Sequence, residues 1–71
     1  MTNMHAFKSY VSMAGGNAAA AKRLGITPGM VGHIKSGRRG VSVRIAKAIE
    51  ADTNGFIRRE TLRPDVYGEA A

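Results

Sequence analysis

Gly25 divides two short stretches of helical periodicity. Before it, Ala18–Leu24 begins with four consecutive alanines, the residue of highest helix propensity. After it, Pro28–Lys35 sets Val31 and Ile34 three residues apart, on one face of a 3.6-residue period. Glycine accepts the left-handed backbone that a tight interhelical turn requires. Ala21, four residues before Gly25, keeps a small side chain where the two helices must cross closely. Leu24, Ile26, Val31 and Ile34 supply the apolar contacts that pin the second helix against the first. Asn17 is the expected N-cap of the first helix. Thr27 caps the second, with Pro28 at its first position, where a missing N–H costs nothing. Ser36-Gly37 ends it. Two short helices joined by a glycine turn have the geometry of a helix-turn-helix, and residues 17–36 match that template without a misfit. The plainer reading of the same pattern is an αα-hairpin in a small helical bundle.

The flanking segments are also helical. Phe7, Tyr10, Val11 and Ala14 fall at i, i+3, i+4 and i+7, so residues 3–14 read as an amphipathic helix with Asn3 as its cap and Gly15-Gly16 as its stop. Ser42 caps a further helix through about Ala51, with Ile45, Ala46 and Ile49 inward, and Thr53-Asn54-Gly55 closes it. Phe56-Ile57 reads as short and extended. Arg59–Leu62 makes one more turn, and Pro64 sets a boundary because the residue before a proline avoids helical geometry. Gly68 to Ala71 should fray. The expected fold is all-α: one compact domain of four to five helices over residues 1–71, built around a helix-turn-helix.

The charge pattern points to a polyanionic partner. Of eleven Lys/Arg and five Asp/Glu, net +6, eight bases and no acid lie in residues 1–49: Lys8, Lys22, Arg23, Lys35, Arg38, Arg39, Arg44 and Lys47. A long acid-free basic segment is the footprint of a nucleic-acid binder. With no cysteine there is neither a disulfide nor a thiolate metal site. His5 and His33 stand apart from each other, so no metal or cofactor is expected. No run approaches the ~18 apolar residues needed to span a bilayer, and no secretory segment follows Met1, so the expected location is the cytoplasm. No nucleophile, base and acid combine, and no glycine-rich stretch is followed by the Lys-Ser/Thr of a phosphate-cradling loop. The chain is not expected to be an enzyme.

The expected DNA-binding residues are Asn17, Lys22, Thr27, Pro28, Gly29, Gly32, His33, Lys35, Ser36, Arg38 and Arg39. Thr27 can offer its hydroxyl to a phosphate at a helix N-terminus that already favours anions. His33 faces the groove one turn beyond Gly29, or is simply a surface histidine. At least two of Lys35, Arg38 and Arg39 should reach phosphate. Of Lys22 and Arg23, on the helix that crosses the DNA backbone, one should do so. Met30 reads as a surface or dimer contact. Arg63 and Asp65 read as an ion pair holding the tail. Phe56, Ile57, Leu62, Val66 and Tyr67 are either the surface of a homodimer or the closure of the monomer's core.

The stretch Gly15–Ala21, then Leu24-Gly25-Ile26-Thr27 and Val31, resembles the Cro-like regulators of prophages, in particular the YdaS group. Ala48-Ile49-Glu50-Ala51, Thr53-Asn54-Gly55 and above all Glu60–Tyr67 resemble that group's ending. The resemblance covers roughly residues 6–67, with Leu62-Arg63-Pro64-Asp65 its most specific mark. It implies a helix-turn-helix domain of the lambda-repressor/Cro-like type and a DNA-binding transcriptional regulator, sometimes described as the antitoxin half of a toxin–antitoxin pair. The chain departs from the pattern at Gly29 and Gly32, where recognition helices usually carry side chains that read bases. It also has Ser42 in place of a common proline and Arg58 in place of a common threonine. Three functions are compatible with these features: an operator-binding regulator, a protein-interaction module that neutralises a toxin or docks on polymerase with DNA binding secondary, and a nonspecific basic peptide. Ordered capping signals and the lack of a basic amphipathic helix with aromatic anchors disfavour the third.

Overall fold

The computed structural model describes residues 3–64. They form α1 (Met4–Ala14), α2 (Asn17–Leu24), α3 (Pro28–Lys35), α4 (Val43–Asp52) and α5 (Arg59–Leu62). No strand occurs among the described residues, so the fold is all-α. No helix among them is long and apolar enough to cross a membrane.

Three helices begin where a polar side chain takes up an orphan N–H. Asn3 Oδ1 accepts from Ala6 N–H at 3.1 Å, Thr27 Oγ1 from Met30 N–H at 3.1 Å and Ser42 Oγ from Ile45 N–H at 3.1 Å. Each such cap stabilises its helix by about 1 kcal/mol. The start of α2 corrects the sequence reading. Asn17 is its first residue, not its cap. Gly16 holds the cap position at φ 115° and ψ 179°, a backbone open essentially to glycine alone. The Gly16 carbonyl accepts from Ala20 N–H at 2.9 Å. Arg58 at the start of α5 makes no side-chain cap hydrogen bond, and that helix is a single turn.

Gly25 ends α2 at φ 72°, and Ile26 N–H then donates to Ala21 O at 3.0 Å, which turns the chain toward α3. Ala20 and Ala21 are buried, so α2 lies close to both α1 and α3. The largest fully buried side chains are Phe7, Tyr10, Val31, Ile34, Val41, Ile49 and Leu62. Side chains of this size contribute roughly 1.5–3 kcal/mol each on burial, so one cluster carries the fold. Met30, read as a surface or dimer contact, is partly buried and packs against this cluster.

Ile57 and Leu62 belong to the core, so they close the monomer and do not form a dimer surface. Phe56 differs, being 77 % exposed. Val66, Tyr67, Asp65 and the segment from Gly68 to Ala71 lie outside the described residues. Asn3 N–H donates to Leu62 O at 2.9 Å, joining α5 to the start of α1. Arg63 Nη1 donates to Val41 O at 2.6 Å, so this arginine ties the end of α5 to the loop before α4.

Candidate nucleic-acid interface

Because Val31 and Ile34 turn inward, α3 presents Pro28, Gly29, His33 and Ser36 outward, with Gly32 half-buried beside them. Spacings of three and four residues place Gly29, Gly32, His33 and Ser36 along one face. Nothing in the fold requires its two glycines. A Cβ at Gly32 would meet nothing within 4 Å, and one at Gly29 would meet only Thr27 Oγ1 at 3.9 Å. Neither has a left-handed backbone. At the N-terminal end, Thr27 Oγ1 accepts from Met30 N–H, which leaves its O–H free to donate outward. The helix cap and the expected phosphate donor are thus compatible in one hydroxyl.

The C-terminal end of α3 is wrapped by the basic loop. The His33 carbonyl accepts from Arg38 N–H at 2.9 Å and Arg39 N–H at 3.2 Å, and from the Ser36 hydroxyl at 3.1 Å. These bonds hold the backbones of Arg38 and Arg39 against the helix while their side chains stay exposed. Ser36 spends its proton inward and keeps only acceptor capacity for a base edge.

Asn17 and Lys35 meet each other. Lys35 Nζ donates to Asn17 Oδ1 at 3.0 Å, linking the first residue of α2 to the last of α3. This bond fixes the angle between the motif's two helices, a role no sequence spacing announced. The ammonium retains two further donors.

Lys22 and Arg23 separate. Arg23 Nη1 donates to Asp52 Oδ1 at 2.9 Å and Oδ2 at 3.0 Å. Asp52 Oδ2 also accepts from the Tyr10 hydroxyl at 2.8 Å. One carboxylate on α4 therefore holds α1 and α2 together, and Lys22 is the member of the pair with no acid partner among the described residues. Burial pushes the Tyr10 phenol up to about 12, helped by the hydrogen bond and negative charge of Asp52 and opposed by Arg23. Sequence reasoning missed this junction, because residues 10, 23 and 52 share no local pattern.

The other acids of the described residues also sit beside bases: Glu50 with Arg59 at 3.4 Å and Glu60 with Arg58 at 3.4 Å. Lys8, Lys22, Lys35, Arg38, Arg39, Arg44 and Lys47 have no acid partner among the described residues. Arg44 and Lys47, on the exposed side of α4, were not among the expected site residues. None of α1 to α4 carries an acid in its first turn, so nothing offsets the partial positive charge of those helix ends. The surface around α3 can engage a polyanion through Thr27, the loop arginines and Lys22, with His33 and Ser36 facing whatever lies against the helix.

A family model described as "Bacterial toxin YdaS" matches residues 7–71. A curated protein of Escherichia coli (strain K12), described as "Putative transcriptional regulator YdaS", is 36 % identical over 62 residues. The match takes in 87 % of this chain and 63 % of that protein, so the chain spans less than two thirds of its relative's length. No solved structure matches the chain. With the family match running from Phe7 to the last residue, the chain belongs to the YdaS family.

Proposed function

We propose that the chain is a sequence-specific double-stranded DNA-binding regulator of the Cro or repressor type, acting by occupying an operator, and that it is not an enzyme. The observation that carries this reading is the outward face of α3, flanked by a loop whose Arg38 and Arg39 backbones are tied to the helix and whose charges no acid offsets among the described residues. In this reading α3 enters the major groove, His33 and Ser36 meet base edges, and Thr27, Lys22, Arg38 and Arg39 hold phosphates. Gly29 and Gly32 let the helix backbone approach the DNA closely. The description of the relative as a transcriptional regulator favours the same role. A pair of copies on half-sites one helical turn apart supplies the readout that one small module lacks, at about 1–3 kcal/mol of discrimination per good base contact. Its place of action is the cytoplasm.

Selection from random duplexes tests the proposal. The expected result is a two-fold symmetric site bound by two copies. One copy per site, with no symmetry in the selected sequence, overturns the dimer, and no enrichment at all overturns sequence-specific binding. The second reading is a protein-interaction role within a toxin–antitoxin pair, favoured by the family's description as a toxin. A divergently transcribed repressor beside the gene supports operator control, and a co-transcribed toxin-like frame supports the second reading.

A further inference from the structure

The Tyr10–Asp52–Arg23 junction floors a surface pit of about 190 Å³ lined by Tyr10, Met13, Ala14, Arg23, Asp52 and Thr53. Its rim carries one of the few large apolar side chains left open: Met13 is 56 % exposed. The turn that leaves the pit's Thr53 wall carries another, Phe56, whose N–H donates to Thr53 O at 3.0 Å. Phe56 is 77 % exposed and does not fill the pit beside it. A pit of this size suits a single aromatic side chain. We infer that Phe56 of one copy seats in the pit of a second copy, and the reverse, as an isologous pair.

Charge favours a second copy here over any other face. Two chains of net +6 repel each other, and the pit is lined by an acid, Asp52, whose carboxylate offsets the Arg23 guanidinium beside it. Lys8, Lys22, Lys35, Arg38, Arg39, Arg44 and Lys47, none of which lines the pit, have no acid partner among the described residues. The copies therefore meet with least repulsion at the pit. The Arg23 guanidinium, fixed by Asp52, offers a cation to the face of the incoming ring. Two aromatic plugs of roughly 150–250 Å² each fall well short of the ~1,600 Å² of a standard stable interface. The pairing is thus transient in free solution and becomes effective when DNA holds two copies together at a millimolar-scale effective concentration. It deepens the DNA-binding reading by naming how the bound copies touch, and it rests on that reading only for its purpose.

The chain contains no cysteine, so cross-linking reports cleanly. Phe56→Cys and Met13→Cys chains are mixed in an oxidising thiol buffer, both free at about millimolar concentration and on the selected duplex. The expected result is a dominant 13–56 cross-link that grows with protein concentration. Dominance of 56–56 cross-links means that the aromatic rings stack on one another and overturns the pit assignment, as does the absence of any 13–56 product free and on DNA. In wild-type chain, NMR resonances of Met13 and Ala14 should shift on dilution; shifts that ignore concentration show an occupant from the same chain and overturn the pairing. Phe56→Ser should leave the melting temperature and the affinity for a single half-site unchanged, and weaken binding to the paired site by about tenfold through lost effective concentration. The free-solution arms do not depend on DNA, so loss of the regulator reading leaves them intact, and failure of the cross-link leaves the regulator reading standing.

Discussion

Tyr10 is a core residue with a polar tip, and that tip makes stability depend on pH. Its folded-state pKa is pushed up from 10.0 to about 12, so the folded chain holds the phenolic proton more tightly than the unfolded chain does. The stabilisation is complete below pH 10 and is lost as pH rises from 10 toward about 12. Tyr10→Phe should lower stability at neutral pH by about 1.5–3 kcal/mol, the range for a hydrogen bond to a charged group. The loss above pH 10 should also become shallower than in the wild type, which chemical denaturation across that range would show. At the interface, Arg39 is held by its backbone to His33 O while its side chain reaches outward. Arg39→Ala should therefore weaken binding to cognate and random duplexes by similar factors, as measured by parallel titrations. A loss confined to the cognate site would make Arg39 a reader of sequence.

At the level of elements, α3 carries two glycines that the fold does not need. Gly32→Ala puts a methyl group into open space and should stabilise the free protein by up to ~1 kcal/mol through helix propensity. If the backbone approaches DNA closely there, the same change weakens binding, so a melt that rises while affinity falls separates the two roles. Unchanged affinity would remove close approach from the account. Most helices were legible in the sequence, because their ends are written in local chemistry: Thr27-Pro28, Ser42 and Asn3 each cap the helix they were expected to cap. The start of α2 was not legible, because a glycine in an unusual backbone conformation outcompeted a good capping side chain next to it. The site's facing residues followed from helical spacing. What escaped were polar contacts between distant positions, among them Lys35 with Asn17, Arg63 with Val41 and the Asp52 junction. Such pairs depend on how helices pack, and no periodicity along the chain encodes that.

On the scale of the whole molecule, the decisive property is where charge goes unanswered. With four phosphate contacts per copy in a bound pair, log K should fall with log salt at a slope of about −7, from ~0.9 per phosphate. A slope shallower than about −2 would mean that most of the free cations never touch DNA. The same distribution has a kinetic side. The acids of the described residues are confined to the end of α4 and to α5, each beside an arginine, while Lys8, Lys22, Lys35, Arg38 and Arg39 stand on α1 to α3 and the loop that follows, and Arg44 and Lys47 on the first half of α4. Among the described residues, unpaired positive charge is thereby set apart from the paired acids. In the field of a duplex such a body feels a torque before contact, swings its neutral end away and arrives already turned. Less of the encounter is lost to rotational search, and association outpaces that of an evenly charged chain of equal net charge until added salt erases the field.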